Sequence, residues 1–367
     1  MGTALASGYH GPPELTVTRA LTEWTLDPWM LALILILGAA YLAGALRVRP
    51  AWPVARRIWF LGLGLGFLVI ATMSWVGVYQ PVLFYARAVQ TVLLVLVVPL
   101  FLALGRPITL AITVFPRAGA RIQAVIGSRA ARILTFPAIT TLALVGVPFV
   151  MYFTSWYTAV FHSATLRELT YLVLMVPGFA FFWTLLRVDP VPKAYSYAVS
   201  MWITGAEVIG DAFFGIAVIA DQNLIGAAYY HALARPWGPT LATDQVIGGG
   251  VLWILGDLVG LPFLAAQLIQ MMREDESDAA RIDAELDAQQ AHPSAQQAHP
   301  SAQQTELTAQ QARLAVSRAP TASNGPTESS KPTGPNEPTD PDADQEPQRS
   351  QLWWETDPRI TNRFKPT

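Results

Sequence analysis

Long apolar runs alternate with short polar connections through the first 272 residues, and seven of the runs are long enough to cross a bilayer. They lie at Trp29–Leu46, Ile58–Tyr79, Arg87–Leu104, Phe136–Phe153, Leu169–Leu186, Ala198–Ala220 and Ala242–Met271. At about 1.5 Å per residue each covers a hydrocarbon layer of about 30 Å. A soluble fold would need a core of seven helices apolar on every side, with no polar shell to cover them. The pattern predicts an all-α polytopic membrane protein with seven transmembrane helices.

Charge sets its expected orientation. The connection after the first run carries Arg47, Arg49, Arg56 and Arg57, and the one after the third carries Arg106, Arg117, Arg121, Arg129 and Arg132, neither with an acid. Arg187 and Lys193 follow the fifth run and Arg273 the seventh, while the opposite side has only Arg19, Arg87, Arg167 and Arg235. The basic connections are therefore expected in the cytoplasm, with the N-terminus outside and the C-terminus inside. Residues 1–28 lack the basic start and small-residue cleavage site of a secretory signal, and read as an uncleaved external arm. The membrane domain is expected at 29–272, and a charged helical exit at 273–287.

From 288 to 367 apolar residues become sparse, and the heptapeptide Ala-Gln-Gln-Ala-His-Pro-Ser occurs twice in succession, at Ala288–Ser294 and Ala295–Ser301. Composition predicts a disordered, low-complexity cytoplasmic tail whose histidines reflect repeat slippage rather than a metal site. Trp353 and Trp354 return near its end, as a free terminus or a contact with the membrane interface or a partner. A net charge of −2 leaves no basic footprint for nucleic acid, and the absence of cysteine removes disulfides and thiolate metal sites.

Chemistry is sought where polar groups enter the apolar runs, because a charge there is costly and commonly functional. Glu207 and Asp211 stand four apart, on one face of the sixth helix; the seventh opens with Asp244-Gln245 and holds Asp257. Arg87 and Arg167 begin the third and fifth spans. One reading has Arg87 and Arg167 meeting Asp211, Asp244 or Glu168 in an outward-facing pocket that holds the bundle together. The other makes Glu207, Asp211 and Asp257 a path for a proton or a cation. Glycines of the sixth and seventh runs mark close helix packing. His162 and His231, in outer connections, could form a weak copper site with a nearby Met30 or Met151, or simply be solvated.

The stretch from Arg235-Pro-Trp through Asp244-Gln245 to Gly248-Gly249 and Trp253 resembles the closing motif of the CtaG-type cytochrome c oxidase assembly proteins. Gln90 with Pro99, Leu104-Gly105-Arg106-Pro107, Phe181-Phe182-Trp183 before Asp189-Pro190, and Ala212–Ala217 extend the similarity, which covers about Trp59 to Asp283. The resemblance implies a seven-span bacterial plasma-membrane protein that works in respiratory oxidase biogenesis, with oxidase subunits as partners and Cu(I) as cargo. It also implies two histidine pairs at the starts of the third and fifth spans. Here those positions are Arg87 and Thr91, and Arg167, Thr170 and Tyr171, with Asp211 standing at another position where a histidine is expected. Protonated arginine cannot ligate a metal. The expectation is therefore an outer polar pocket of Arg87, Thr91, Arg167, Glu168, Tyr171, Asp211, Asp244 and Gln245 that has exchanged ligands for ion pairs. Copper binding is then in doubt, and assistance by contact is the favoured role. A transporter using Glu207, Asp211 and Asp257, and a structural subunit of a membrane complex, are the alternatives. No nucleophile elbow, phosphate loop or HExxH signature suggests an enzyme.

Overall fold

A computed structural model describes residues 9–193 and 197–316, and among them every regular element is helical. It divides into two units, Met1–Ala288 and Gln289–Thr367.

Six helices of the first unit are long and apolar enough to cross a membrane. They are α1 (Pro28–Arg47), α2 (Val54–Tyr79), α3 (Phe84–Leu104), α5 (Ala164–Leu186), α6 (Ala198–Ala220) and α7 (Leu241–Ala288). Between α3 and α5 lies α4 (Pro137–Tyr152), which with Trp156–His162 forms a pair bent by 69° that makes a seventh span if taken as one. Large side chains such as Leu35 and Ile254, 61% and 67% exposed, face outward from these helices, as lipid contact requires.

Polar contacts fix the two ends of the bundle. At one, the Tyr41 hydroxyl donates to the carbonyl oxygen of Gly105 at 2.7 Å and receives the Trp52 indole N–H at 3.0 Å. The exits of α1 and α3 therefore meet. Asp189, just past α5, accepts from the backbone N–H groups of Ile108 and Thr109 at 3.2 and 2.8 Å. These contacts join the three arginine-rich connections in one place. The helix that Asp189 caps, Pro107–Val114, starts after Arg106, whose side chain has no acceptor and makes no capping bond, so the cap comes from Asp189.

At the other end Tyr9 packs edge-on against Trp237 at 6.1 Å, and Tyr79 donates to the Pro13 carbonyl at 2.9 Å. The N-terminal arm thus lies against the ends of α2 and α3, where it helps cover Tyr79, Val82, Leu83 and Ala86.

Two spans depart from a simple α-helix. Ile58–Gly64 in α2 and Leu93–Val97 in α3 are π-helical turns, which widen the ladder and shift the side chains that follow. Close neighbours occupy both: an added Cβ at Gly64 would stand 2.7 Å from Leu102, and one at Gly178 of α5 would overlap the Val95 carbonyl at 1.9 Å. In α4 and α5, Pro148 and Pro177 lie inside the helix.

In the second unit residues 289–316 are helical, where composition predicts disorder from 288. The tract is rich in alanine and glutamine, which lose little on entering a helix, but Pro293 and Pro300 lie inside it, so local propensity does not by itself account for the difference. The rest of the expected tail, with Trp353 and Trp354, lies outside the described residues.

Candidate functional site

Asp244 and Gln245 form a clamp at the N-terminus of α7. Asp244 is fully buried; its carboxylate accepts from the N–H groups of Phe84 and Tyr85 at 3.1 and 3.0 Å and pairs with Arg235 at 3.2 Å. The first amides of a helix have no partner within it, and the positive end of the helix dipole favours an anion. Asp244 supplies both needs for α3. Gln245 does the reverse for α6: its amide donates to the carbonyls of Val218 and Asp221, both at 2.9 Å, and its oxygen accepts from Ile225 N–H at 2.7 Å. Two neighbouring residues thus tie α7 to the start of one helix and the end of another. This accounts for the Asp-Gln pair of the motif: of the expected outer polar pocket, Asp244 forms an ion pair with Arg235, and Gln245 closes the end of α6.

Arg87 is the centre of that pocket. It is 0% exposed, and its Nη1 donates to Gln80 Oε1 at 3.1 Å and Gln90 Oε1 at 2.8 Å, while Nη2 reaches Met151 Sδ at 3.5 Å. The guanidinium carbon lies 5.8 Å from the ring centre of Phe161. Gln90 is held in turn, its amide donating to Ala71 O at 2.8 Å and Tyr171 Oη at 3.3 Å. Thr91 bonds the Arg87 carbonyl and stands 3.1 Å from Tyr152 Oη. Among the described residues no carboxylate pairs with Arg87, and its Nε has no hydrogen-bond partner.

The expected outer ion pairs therefore form in part. Arg167 pairs with Glu168 at 3.3 Å near the surface, and Glu168 lies beside Asp27, which caps α1 through Trp29 and Met30 N–H. Asp244 pairs with Arg235 rather than Arg87 or Arg167. Asp211 is not in this group at all. Thr170 accepts from the Trp156 indole at 2.8 Å, so this position too serves packing between the bent pair and α5.

The residues present do not fit a copper ion. Where the family resemblance implies imidazoles there is a fixed cation, and the one soft donor, the Met151 thioether, already faces the guanidinium. His162 sets its ring against Tyr229 at 5.8 Å, and His231 is exposed on the short helix Ala227–Leu233. Met30 is buried in the core of α1. Among the described residues no group of three or more His, Cys, Asp or Glu could hold a metal ion.

A second polar centre lies between α6 and α7. Glu207 is 1% exposed and lies against Asp211 on its own helix, with Asp257 of α7 as a further electrostatic neighbour. Gly256 and Gly260 make room for it: an added Cβ would stand 2.5 Å from Asp211 Oδ2 and 3.3 Å from Glu207 Oε2 respectively. The three carboxylates legible in the sequence are thus brought together. Gln80, which carries half of the Arg87 site, stands alone in its segment with nothing in the sequence to single it out, and Asp189 enters the sequence reading only within the Asp189-Pro190 match, without a role.

The chain is 31% identical over 295 residues to the uncharacterized proteins Mb0105 of Mycobacterium bovis and MT0111 of Mycobacterium tuberculosis, and 29% identical to the uncharacterized protein ML1998 of Mycobacterium leprae. The matched region is 77% of this chain but only 44–45% of those proteins, so the chain spans less than half the length of the curated relatives it matches. No solved structure matches it. The cytochrome c oxidase caa3 assembly factor family matches residues 39–274, which take in the Arg87 centre, the carboxylates and the Asp244-Gln245 clamp. The chain belongs to that family, Caa3_CtaG.

Proposed function

We propose that this protein supports cytochrome c oxidase assembly from the bacterial plasma membrane by contact with oxidase subunits, without carrying copper and without a catalytic step of its own. The observation that carries the reading is the Arg87 guanidinium, buried at the start of α3 and held by Gln80, Gln90 and Met151. A fixed positive charge at that point repels a second cation, and Gln80 and Gln90 have already turned their oxygens toward it. The same reading takes α4 with its bent continuation as a span, giving seven, and puts the arginine-rich end in the cytoplasm.

Two measurements test it together. Deleting the gene is expected to lower the content of assembled oxidase in the membrane, read from its haem spectrum. The purified protein, loaded with Cu(I) under reducing conditions, is expected to retain no copper above background. One equivalent of copper that disappears in His162→Ala and His231→Ala variants would instead mean a metal site rebuilt in the outer connections, and would overturn the contact reading.

A further inference from the structure

The N-terminal arm turns its apolar side chains away from the protein. In the short helix Val17–Thr22 and the segment that follows it, Val17, Leu21, Trp24 and Leu26 are 84%, 74%, 54% and 69% exposed. Arg19, Ala20 and Glu23 are half-buried instead, and Arg19 and Glu23 are charged neighbours of buried Tyr79 at the end of α2. A helix bounded by water shows the reverse, with an apolar stripe against the core and its charges outside. Apolar side chains exposed together in this way mark a contact surface.

Three observations point to lipid as its cover. The first is depth. α2 breaks at Ser74, whose extended backbone ends one helical stretch at Met73 and whose hydroxyl caps the next, Trp75–Tyr79. Thr25 N–H donates to the Met73 carbonyl at 2.8 Å beside this break. Met73 stands six residues before the end of α2, which places Trp24 and Leu26 at most about 9 Å along the span from that end. Interfacial segments rest about 5–10 Å into the boundary between headgroups and acyl chains. The second is that the arm spends its donors on itself. The Thr22 hydroxyl donates to the Thr18 carbonyl at 3.1 Å, the Trp24 indole N–H to the Leu21 carbonyl at 3.0 Å, and Arg19 Nη1 to the Glu14 carbonyl at 2.7 Å. A segment facing lipid has no water to bond and must satisfy its polar groups within the protein. The third is continuity. The arm runs into α1 through the cap at Asp27, and Trp29 and Ile36, seven apart and so on one side of α1, are exposed where that span faces lipid.

We propose that residues 17–26 are an interfacial anchor, lying in the leaflet at this end of the bundle with Val17, Leu21, Trp24 and Leu26 in the acyl boundary. From Tyr9 to Pro28 the formal charges are Glu14, Arg19, Glu23 and Asp27, an acidic balance that offers anionic headgroups no cationic cluster. Burial of apolar side chains therefore holds the anchor, and uncharged lipid suffices. The leaflet keeps the arm over Tyr79 and beside Trp237 as a cover for this end. This inference does not depend on the oxidase role.

Spin labels on the full-length protein test the anchor, since the chain has no cysteine of its own. Nitroxides on Leu21→Cys and on exposed His231→Cys, in nanodiscs of phosphatidylcholine, are compared for collisions with oxygen, which concentrates in the acyl layer, and with a water-soluble nickel chelate. Oxygen is expected to outweigh the chelate at Leu21→Cys, and the chelate to outweigh oxygen at His231→Cys. Adding Val17→Ser and Trp24→Ser should raise chelate access at Leu21→Cys, and replacing part of the lipid with phosphatidylglycerol should leave both ratios unchanged. Chelate access at Leu21→Cys equal to that at His231→Cys would place the arm in water and overturn the anchor. Access to neither reagent would mean that protein covers it, with dipolar broadening identifying a second copy, and would overturn lipid as the partner. Oxygen access that arises only with phosphatidylglycerol would overturn its apolar basis.

Discussion

A buried arginine normally finds a carboxylate, but Arg87 is satisfied by two amide oxygens and a thioether. Replacing a buried charge with an apolar side chain of similar volume is often neutral, unless it strands the groups that were paired with it. Here Arg87→Met would strand Gln80 Oε1 and Gln90 Oε1, at about 1–3 kcal/mol for each buried acceptor left unmet. We expect a lower midpoint of thermal unfolding in detergent, partly restored when Gln80→Leu is added. A single variant as stable as the wild type would mean that the amides turn to other partners. Asp244 is the opposite case, a carboxylate with its cation in place. Asp244→Ala leaves Arg235 charged and buried and uncaps α3, and breaking such a pair costs about 3–5 kcal/mol. Asp189, outside the spans, gives a prediction in pH. Burial raises its carboxyl above the ordinary value, outweighing the bonds from Thr109 and Ile108. A raised group contributes stability that is fully present below the ordinary carboxylate range and is lost as pH rises through the folded value. The thermal midpoint of the wild type should therefore gain on that of Asp189→Asn as pH falls from neutral, and a parallel pair of curves would contradict the shift.

Helices are legible wherever hydropathy alone decides them. The expected runs Trp29–Leu46 and Ala198–Ala220 differ from α1 and α6 by at most one residue at either end. Breaks inside a span are less legible, because π turns at Ile58–Gly64 and Leu93–Val97 are built from the same leucines, valines and glycines as the helix around them. What betrays them is a partner: Gly178 of α5 lies against the Val95 carbonyl inside the second one. Gly178→Ala would force backbone apart, and overpacking of this kind costs about 1–3 kcal/mol or more. Gly250→Ala is the control, since nothing stands within 4 Å of its added Cβ and alanine is the better helix former. Thermal midpoints should move down for the first and not down for the second. The same limit applied to the site. Charges inside the runs stood out in the sequence, but their pairing did not, because Arg87 is matched by uncharged Gln80 and Asp211 by two other acids.

At the scale of the molecule, the contacts at each end determine which connections share a side. Tyr41 with Gly105, and Asp189 with Thr109, gather the arginine-rich connections, while Tyr9 with Trp237 and Asp244 with Phe84 gather the others. In the proposed seven-span reading the chain leaves α3 at the first end, returns through α4 and enters α5 near Arg167, although α4 has only 16 residues before its bend. Its natural lack of cysteine makes this arrangement directly measurable. Single cysteines in place of exposed His231 and exposed Arg121 mark opposite ends. In intact cells a membrane-impermeant thiol reagent should label His231→Cys and spare Arg121→Cys until the membrane is opened, because arginine-rich connections remain on the cytoplasmic side. Labelling of both in intact cells would remove α4 as a span, and labelling of Arg121→Cys alone would invert the protein.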